Sequence, residues 1–150
     1  MTDLRARIRG ACHCGNVSFE LDWGGDPAAI PARACGCGFC VKHGGVWTSH
    51  PASALRVAIA EPALVPGYRF GTRTADFHVC GRCGAVPFVS CEIDGARYAV
   101  VNVNVFEGVA PDALRRAAAD FDGEALDDRL ARRRRNWIAD VRIETRAPAA

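Results

Sequence analysis

The chain has 150 residues, 49% of them apolar and 24% charged, with 19 Lys and Arg against 17 Asp and Glu. That length suits one domain, spanning residues 1–150, with a real core; the near balance of charge argues against nucleic acid as a partner. No run approaches the ~20 apolar residues of a membrane span, and the charged start from Met1 to Gly10 lacks the apolar segment of a signal peptide or anchor, so the expected compartment is the reducing cytoplasm.

In chain order the pattern is short strands with turn punctuation. Cys12-His13-Cys14 comes first, then Val17, Phe19 and Leu21 alternate with polar residues as a half-buried strand. Trp23-Gly24-Gly25-Asp26-Pro27 ends it. Ala28 to Ala34 runs extended into a second cluster, Cys35-Gly36-Cys37-Gly38-Phe39-Cys40. Leu55, Val57 and Ile59 mark another strand, closed by Glu61-Pro62. Tyr68-Arg69-Phe70 and Phe77-His78-Val79 flank a turn at Gly71-Thr72, and Cys80-Gly81-Arg82-Cys83 follows. Val86 to Ile93 and Arg97 to Val105 form the arms of a long hairpin, joined by Asp94-Gly95. The last third reads as short helices: Pro111 to Ala119, with Pro near its start, then Ala125 to Arg135 as a second helix or a charged surface turn. Strands first and helices last argue a mainly β domain.

Seven of the eight cysteines fall in the three clusters, and Cys91 stands apart. In a reducing compartment such density means metal or redox chemistry rather than disulfides. Spacings of one or two residues would strain a disulfide and suit convergence on Zn²⁺, with sulfur at ~2.3 Å. Two pairs and a triplet suggest Cys12, Cys14, Cys80 and Cys83 around one metal and Cys35, Cys37 and Cys40 around a second with one place free. A rival count completes both tetrahedra with Cys91 or with His13, His43, His50 or His78. Cys91 shares a strand face with Val89 and Ile93, which reads as core packing. Glycines beside the clusters let the backbone turn tightly and aim N–H groups at sulfur.

The segments Gly10 to Glu20, Cys35 to Gly45 and Phe77 to Gly84, in this order, resemble the family of glutathione-dependent formaldehyde-activating enzymes, which includes centromere protein V-like domains. The resemblance implies a mainly β, Mss4-like fold of antiparallel sheets pinned by zinc. It also implies a structural zinc at Cys12, Cys14, Cys80 and Cys83, and a functional one at Cys35, Cys37 and Cys40, the candidate catalytic cysteines. The implied activity is a carbon–sulfur lyase reaction run in reverse, joining glutathione as co-substrate to formaldehyde or a related small aldehyde. A non-catalytic thiol carrier and a purely structural two-zinc interaction domain are the alternatives.

Three zinc-bound thiolates carry net negative charge, so an incoming thiolate needs compensation. Lys42, two residues after Cys40, is the nearest cation, and Trp47 is the favoured pocket wall; both are assigned to co-substrate binding. Phe70, Phe88 and Tyr98 are further wall candidates that core packing would equally explain. The run Arg132 to Arg135 reads as a solvated or salt-bridged face beside Asp127, Asp128 and Asp140. It could also attract the carboxylates of glutathione or clamp a partner subunit. The oligomeric state is not legible.

Overall fold

Alternation of apolar and polar side chains lays down most of the strands in the computed structural model, which describes residues 6–145. Part of the charged start from Met1 to Gly10 therefore lies outside the described residues. In chain order the elements are β1 (Arg7–Ala11), β2 (Val17–Asp22), β3 (Ile30–Cys35), α1 (Gly38–His43), β4 (Val46–Thr48), β5 (Ala54–Ile59) and β6 (Gly67–Tyr68). They continue with β7 (Asp76–His78), β8 (Phe88–Ile93), β9 (Ala96–Asn102), β10 (Phe106–Glu107), β11 (Leu114–Ala119), α2 (Leu126–Asn136) and β12 (Asp140–Thr145). The fold is mainly β, as the sequence implies.

Two sheets form: β10-β1-β2-β5-β12, and β11-β3-β4-β9-β8-β7-β6. Most pairings are antiparallel. That agrees with the antiparallel sheets the resemblance implies, and two edge strands are added in parallel: β11 beside β3 and β12 beside β5. Both added strands come from the last third of the chain and return to an earlier edge.

The helix expected over Pro111 to Ala119 is not formed. Pro111–Ala113 makes a single 3₁₀ turn, and Leu114–Ala119 is the strand β11, in register from Leu114 opposite Ile30 to Ala119 opposite Cys35. Alanine, leucine and arginine favour helix, but six such residues cannot pay for a helix nucleus alone. Pairing with β3 satisfies their backbone groups instead, and the Gly36 N–H extends the ladder to the Ala119 carbonyl at 2.9 Å. The second expected helix is present as α2. The long hairpin turns at Asp94-Gly95 with both φ angles positive, 51° and 81°, the mirror-image turn that matches strand twist.

A main core is shared by the two sheets. Val17, Phe19, Leu21, Leu55 and Val57 from one meet Ile30, Phe88, Ala99 and Val101 from the other. On the opposite face of the seven-stranded sheet Val89, Cys91, Ile93 and Val100 form a second cluster with Cys40, Trp47 and Trp137. The period-two alternation along β8 divides these faces: Phe88 turns to the main core, Val89 and Cys91 to the second. The second cluster is the floor of the candidate site.

Candidate metal centres and ligand cavity

Two knuckles bring four sulfurs together. Cys12 directly follows β1 and Cys14 lies in the turn to β2; Cys80 and Cys83 lie in the connection from β7 to β8. The backbone wraps each in the same way. Cys12 N–H bonds the Val17 carbonyl and Cys80 N–H the Ala85 carbonyl, both at 2.9 Å. Each wrap passes through a glycine with φ of 82°, Gly15 and Gly84, a conformation that a Cβ would strain. The sulfurs of Cys12 and Cys14 are 3.7 Å apart, and those of Cys14 and Cys80 3.5 Å. A tetrahedron with metal–sulfur bonds of 2.3 Å has edges of about 3.8 Å, so the four cysteines fit a zinc ion. The first knuckle belongs to the five-stranded sheet and the second to the seven-stranded one. A metal here would join the two sheets.

The triplet forms a second group in which all three sulfurs lie within 4.8 Å of one another, so it too could hold a metal. Cys35 ends β3, Cys37 caps the N-terminus of α1, and Cys40 lies in its first turn. Donors converge on these sulfurs. Cys37 N–H points to Cys35 Sγ at 3.5 Å, Cys40 N–H to Cys37 Sγ at 3.4 Å, and the Trp47 indole N–H to Cys40 Sγ at 3.3 Å. Such donors disperse the negative charge of thiolate ligands. Without a metal the sulfurs compete for protons: the Cys40 thiol holds Cys35 down at about 6, and the contact with Cys35, with burial, pushes Cys40 up. In the other group burial pushes Cys12 up to about 12. Deprotonated sulfur at these depths calls for a cation.

No histidine joins either group among the described residues. His78 Nε2 bonds Ser90 Oγ at 2.7 Å and its ring stacks on Phe88. The His43 ring meets Phe39 at a tilt and Trp47 edge-on. Cys91 is 2% exposed in the second core cluster, where the Arg133 guanidinium donates to its sulfur at 3.4 Å.

The triplet, and none of the four cysteines of the first group, lines a cavity of about 730 Å³. Trp47 and Phe70 form part of its wall. Phe88 is fully buried in the main core, and Tyr98 packs at the margin of the second cluster, so neither serves as wall. Lys42 is exposed on α1 and does not line the cavity. Cationic charge comes instead from Arg33 on β3 and from Arg129, Arg132 and Arg133 on α2.

The arginine run is therefore divided: part of it is salt-bridged, to Glu124 and Asp94 rather than to Asp127, Asp128 or Asp140, and part of it lines the cavity. Arg132 and Arg133 turn inward, and Arg134 bonds Asp94 in the hairpin turn at 2.7 Å. Arg132 makes a two-pronged contact with Glu124, Nε to Oε2 at 3.0 Å and Nη2 to Oε1 at 3.1 Å, and lies over the Phe121 ring at 3.7 Å. The signal for this inward wall was present, since Arg129, Arg132, Arg133 and Asn136 recur at helical spacing. What they would face was not.

Residues 7–122 match the sequence model of the family described as glutathione-dependent formaldehyde-activating enzyme. A Rhodobacter sphaeroides protein of known crystal structure is 33% identical over 69% of this chain and 91% of its own, with a TM-score of 0.52.

Proposed function

This chain belongs to the glutathione-dependent formaldehyde-activating enzyme family, and from that premise we propose that it joins a glutathione-type thiol to formaldehyde or a related small aldehyde at the cavity beside Cys35, Cys37 and Cys40. One observation carries the reading: three sulfurs lie within 4.8 Å of one another, with no fourth protein ligand among the described residues, at the wall of a cavity of about 730 Å³. One-carbon aldehydes approach water in bulk, whose share of liquid volume is about 30 Å³. A cavity this large is shaped for the body of the thiol, in the size range of small-molecule sites.

In the forward direction the thiol sulfur forms a bond to the carbonyl carbon. The π electron pair moves to oxygen, and the proton lost by the thiol ends on that oxygen as the hydroxyl of the S-hydroxymethyl product. Zinc held by Cys35, Cys37 and Cys40 would supply a seat that favours the thiolate form of the incoming thiol. The protein supplies orientation and electrostatics. Trp47 draws charge from Cys40 through its indole N–H. Phe70, Phe77 and Trp137 exclude water from the wall, which strengthens each charge interaction inside. Arg33, Arg129, Arg132 and Arg133 offset the anionic charge of a tris-thiolate site, the role the sequence assigned to Lys42.

A thiol carrier is the second reading. It is favoured by the acids of the cavity: Glu124 is engaged by Arg132 and Asp122 is exposed to solvent, which leaves no buried carboxylate free to act as a proton shuttle among the lining residues. Exchange spectroscopy on zinc-loaded protein with formaldehyde and glutathione separates the two. Adduct formation faster than the spontaneous rate, lost in Cys37→Ser, is the expected result. Binding of glutathione at zinc without acceleration selects the carrier, and no change in the zinc absorption spectrum on adding glutathione overturns both.

A further inference from the structure

The inner face of α2 carries more positive charge than its surroundings neutralise. Four guanidiniums line the cavity, and the carboxylates among the lining residues are those of Asp122 and Glu124. Asp122 is exposed and solvated. Glu124 already serves two partners, bonded to Arg132 at 3.0 Å and 3.8 Å from Arg129 Nε. Arg133 is 7% exposed and forms no ion pair among the described residues. Its Nη1 donates to Thr74 Oγ1 at 2.9 Å and Cys91 Sγ at 3.4 Å, neither of them a carboxylate. Its guanidinium lies 5.0 Å from the centre of the Trp137 ring, and its Nε is buried without a partner. The Arg33 guanidinium, on the neighbouring strand β3, has neither hydrogen bond nor ion pair among the described residues, and it lines the same cavity.

A buried guanidinium without an anion is costly to hold. The fold nevertheless holds this one firmly. Ser49 Oγ donates to the Asn136 carbonyl at 2.7 Å, which ties the end of α2 to the residue after β4, and Arg134 fixes the helix to the hairpin turn. Two guanidiniums short of a counter-charge, in a cavity shared with three sulfurs, suit a ligand with a thiol at one end and a carboxylate at the other. Guanidinium matches carboxylate as a planar fork. Helix α2 also lies beyond residues 7–122, the span matched by the family, so this wall comes from a part of the chain that the match does not describe.

We propose that Arg33 and Arg133 form a carboxylate subsite that holds a terminal carboxylate of the thiol whose sulfur sits at Cys35, Cys37 and Cys40. The subsite rests on the reading of the cavity as the thiol site, and it sets which thiols are accepted: those with a carboxylate over those without.

S-methylglutathione tests it, because it keeps both carboxylates and has no free thiol to ligate a metal. Calorimetry on the zinc-loaded full chain should show binding, weakened at least about tenfold in Arg33→Gln. Arg133→Lys keeps the charge, loses the fork, and should weaken binding in the same direction; thermal melts check that it folds, and Arg33→Gln on its partly exposed strand decides the matter if it does not. In turnover, the ratio of kcat/KM for glutathione to that for its diethyl ester should fall at least about tenfold in Arg33→Gln. Equal binding of S-methylglutathione by wild type and Arg33→Gln, or none by wild type at millimolar concentration, overturns the subsite. Binding that depends on Arg33 without accelerated adduct formation retains the subsite and removes the lyase reading. Acceleration that is equal for glutathione and its diethyl ester retains the lyase reading and removes the subsite.

Discussion

The four-sulfur and three-sulfur groups are built from the same parts, cysteines one or two residues apart with N–H groups aimed at sulfur, and the fold gives them opposite surroundings. Cys12 and Cys80 are buried in the core that both sheets share, and the group takes one knuckle from each sheet. Cys35, Cys37 and Cys40 come from one strand end and one short helix, and they border open volume. Removing a metal from the first would free two sheets from each other. Removing it from the second would disturb a loop and a cavity. Ligand chemistry therefore does not distinguish a staple from a working site; the reach of the ligands through the fold does.

The largest effect should come from breaking the staple. Cys80 is fully buried, and structural zinc contributes an apparent ~10–16 kcal/mol in zinc-finger peptides, comparable to the whole ~5–15 kcal/mol stability of a domain. Cys80→Ala should therefore fail to reach a cooperative folded state, read by near-ultraviolet dichroism and thermal unfolding. Cys37→Ser should instead keep the fold, with a melting temperature within about 5 °C of wild type. It should lower zinc by one equivalent per chain and lower kcat/KM at least about a hundredfold. Unfolding of Cys37→Ser to the same degree as Cys80→Ala would erase the contrast between the groups.

A finer test removes one donor from the triplet. Trp47→Phe keeps an aromatic ring in the second core cluster and deletes the 3.3 Å indole contact to Cys40. Competition with a chromophoric chelator should show about tenfold weaker metal affinity at the triplet alone, with the four-cysteine metal released at the same chelator concentration as before. Loss at both groups would mean that the two communicate.

The smallest expected effect concerns the arginine wall. The hydrogen bond from Arg132 holds the Glu124 carboxyl below its ordinary value of 4.5. A depressed folded value means that the unfolded chain binds the proton more readily. The pair's stabilisation is thus present above about pH 4.5 and is lost as pH falls through the folded value. Glu124→Gln should cost about 1 kcal/mol at pH 7 and nothing in acid below that window, measured by urea unfolding across pH. A penalty that persisted in acid would assign Glu124 a role other than this ion pair.

Legibility followed the range of each interaction. The hairpin at Asp94-Gly95 and the strand Val17 to Leu21 were readable because turn chemistry and period-two alternation act over a few residues. β11 was misread because Leu114 to Ala119 has helical composition, and only its pairing with β3 overrules it. β1 and β12 carry the same alternation in Ile8 between Arg7 and Arg9, and in Val141 and Ile143, but short charged segments leave that signal weak. Helix α1, at six residues, is shorter than two helical turns. Lys42 is the cation nearest to Cys40 in sequence, but it is exposed on α1 and is not among the residues that line the cavity with Arg33 and α2.

The pairs and the triplet of candidate sulfur ligands were legible in the sequence alone, since cysteines one or two residues apart form a local object. Which group would join two sheets and which would face a cavity was decided by the tertiary structure. So was the turning of Arg132 and Arg133 inward, because burial and enclosed volume depend on segments a hundred residues apart coming to rest on one another.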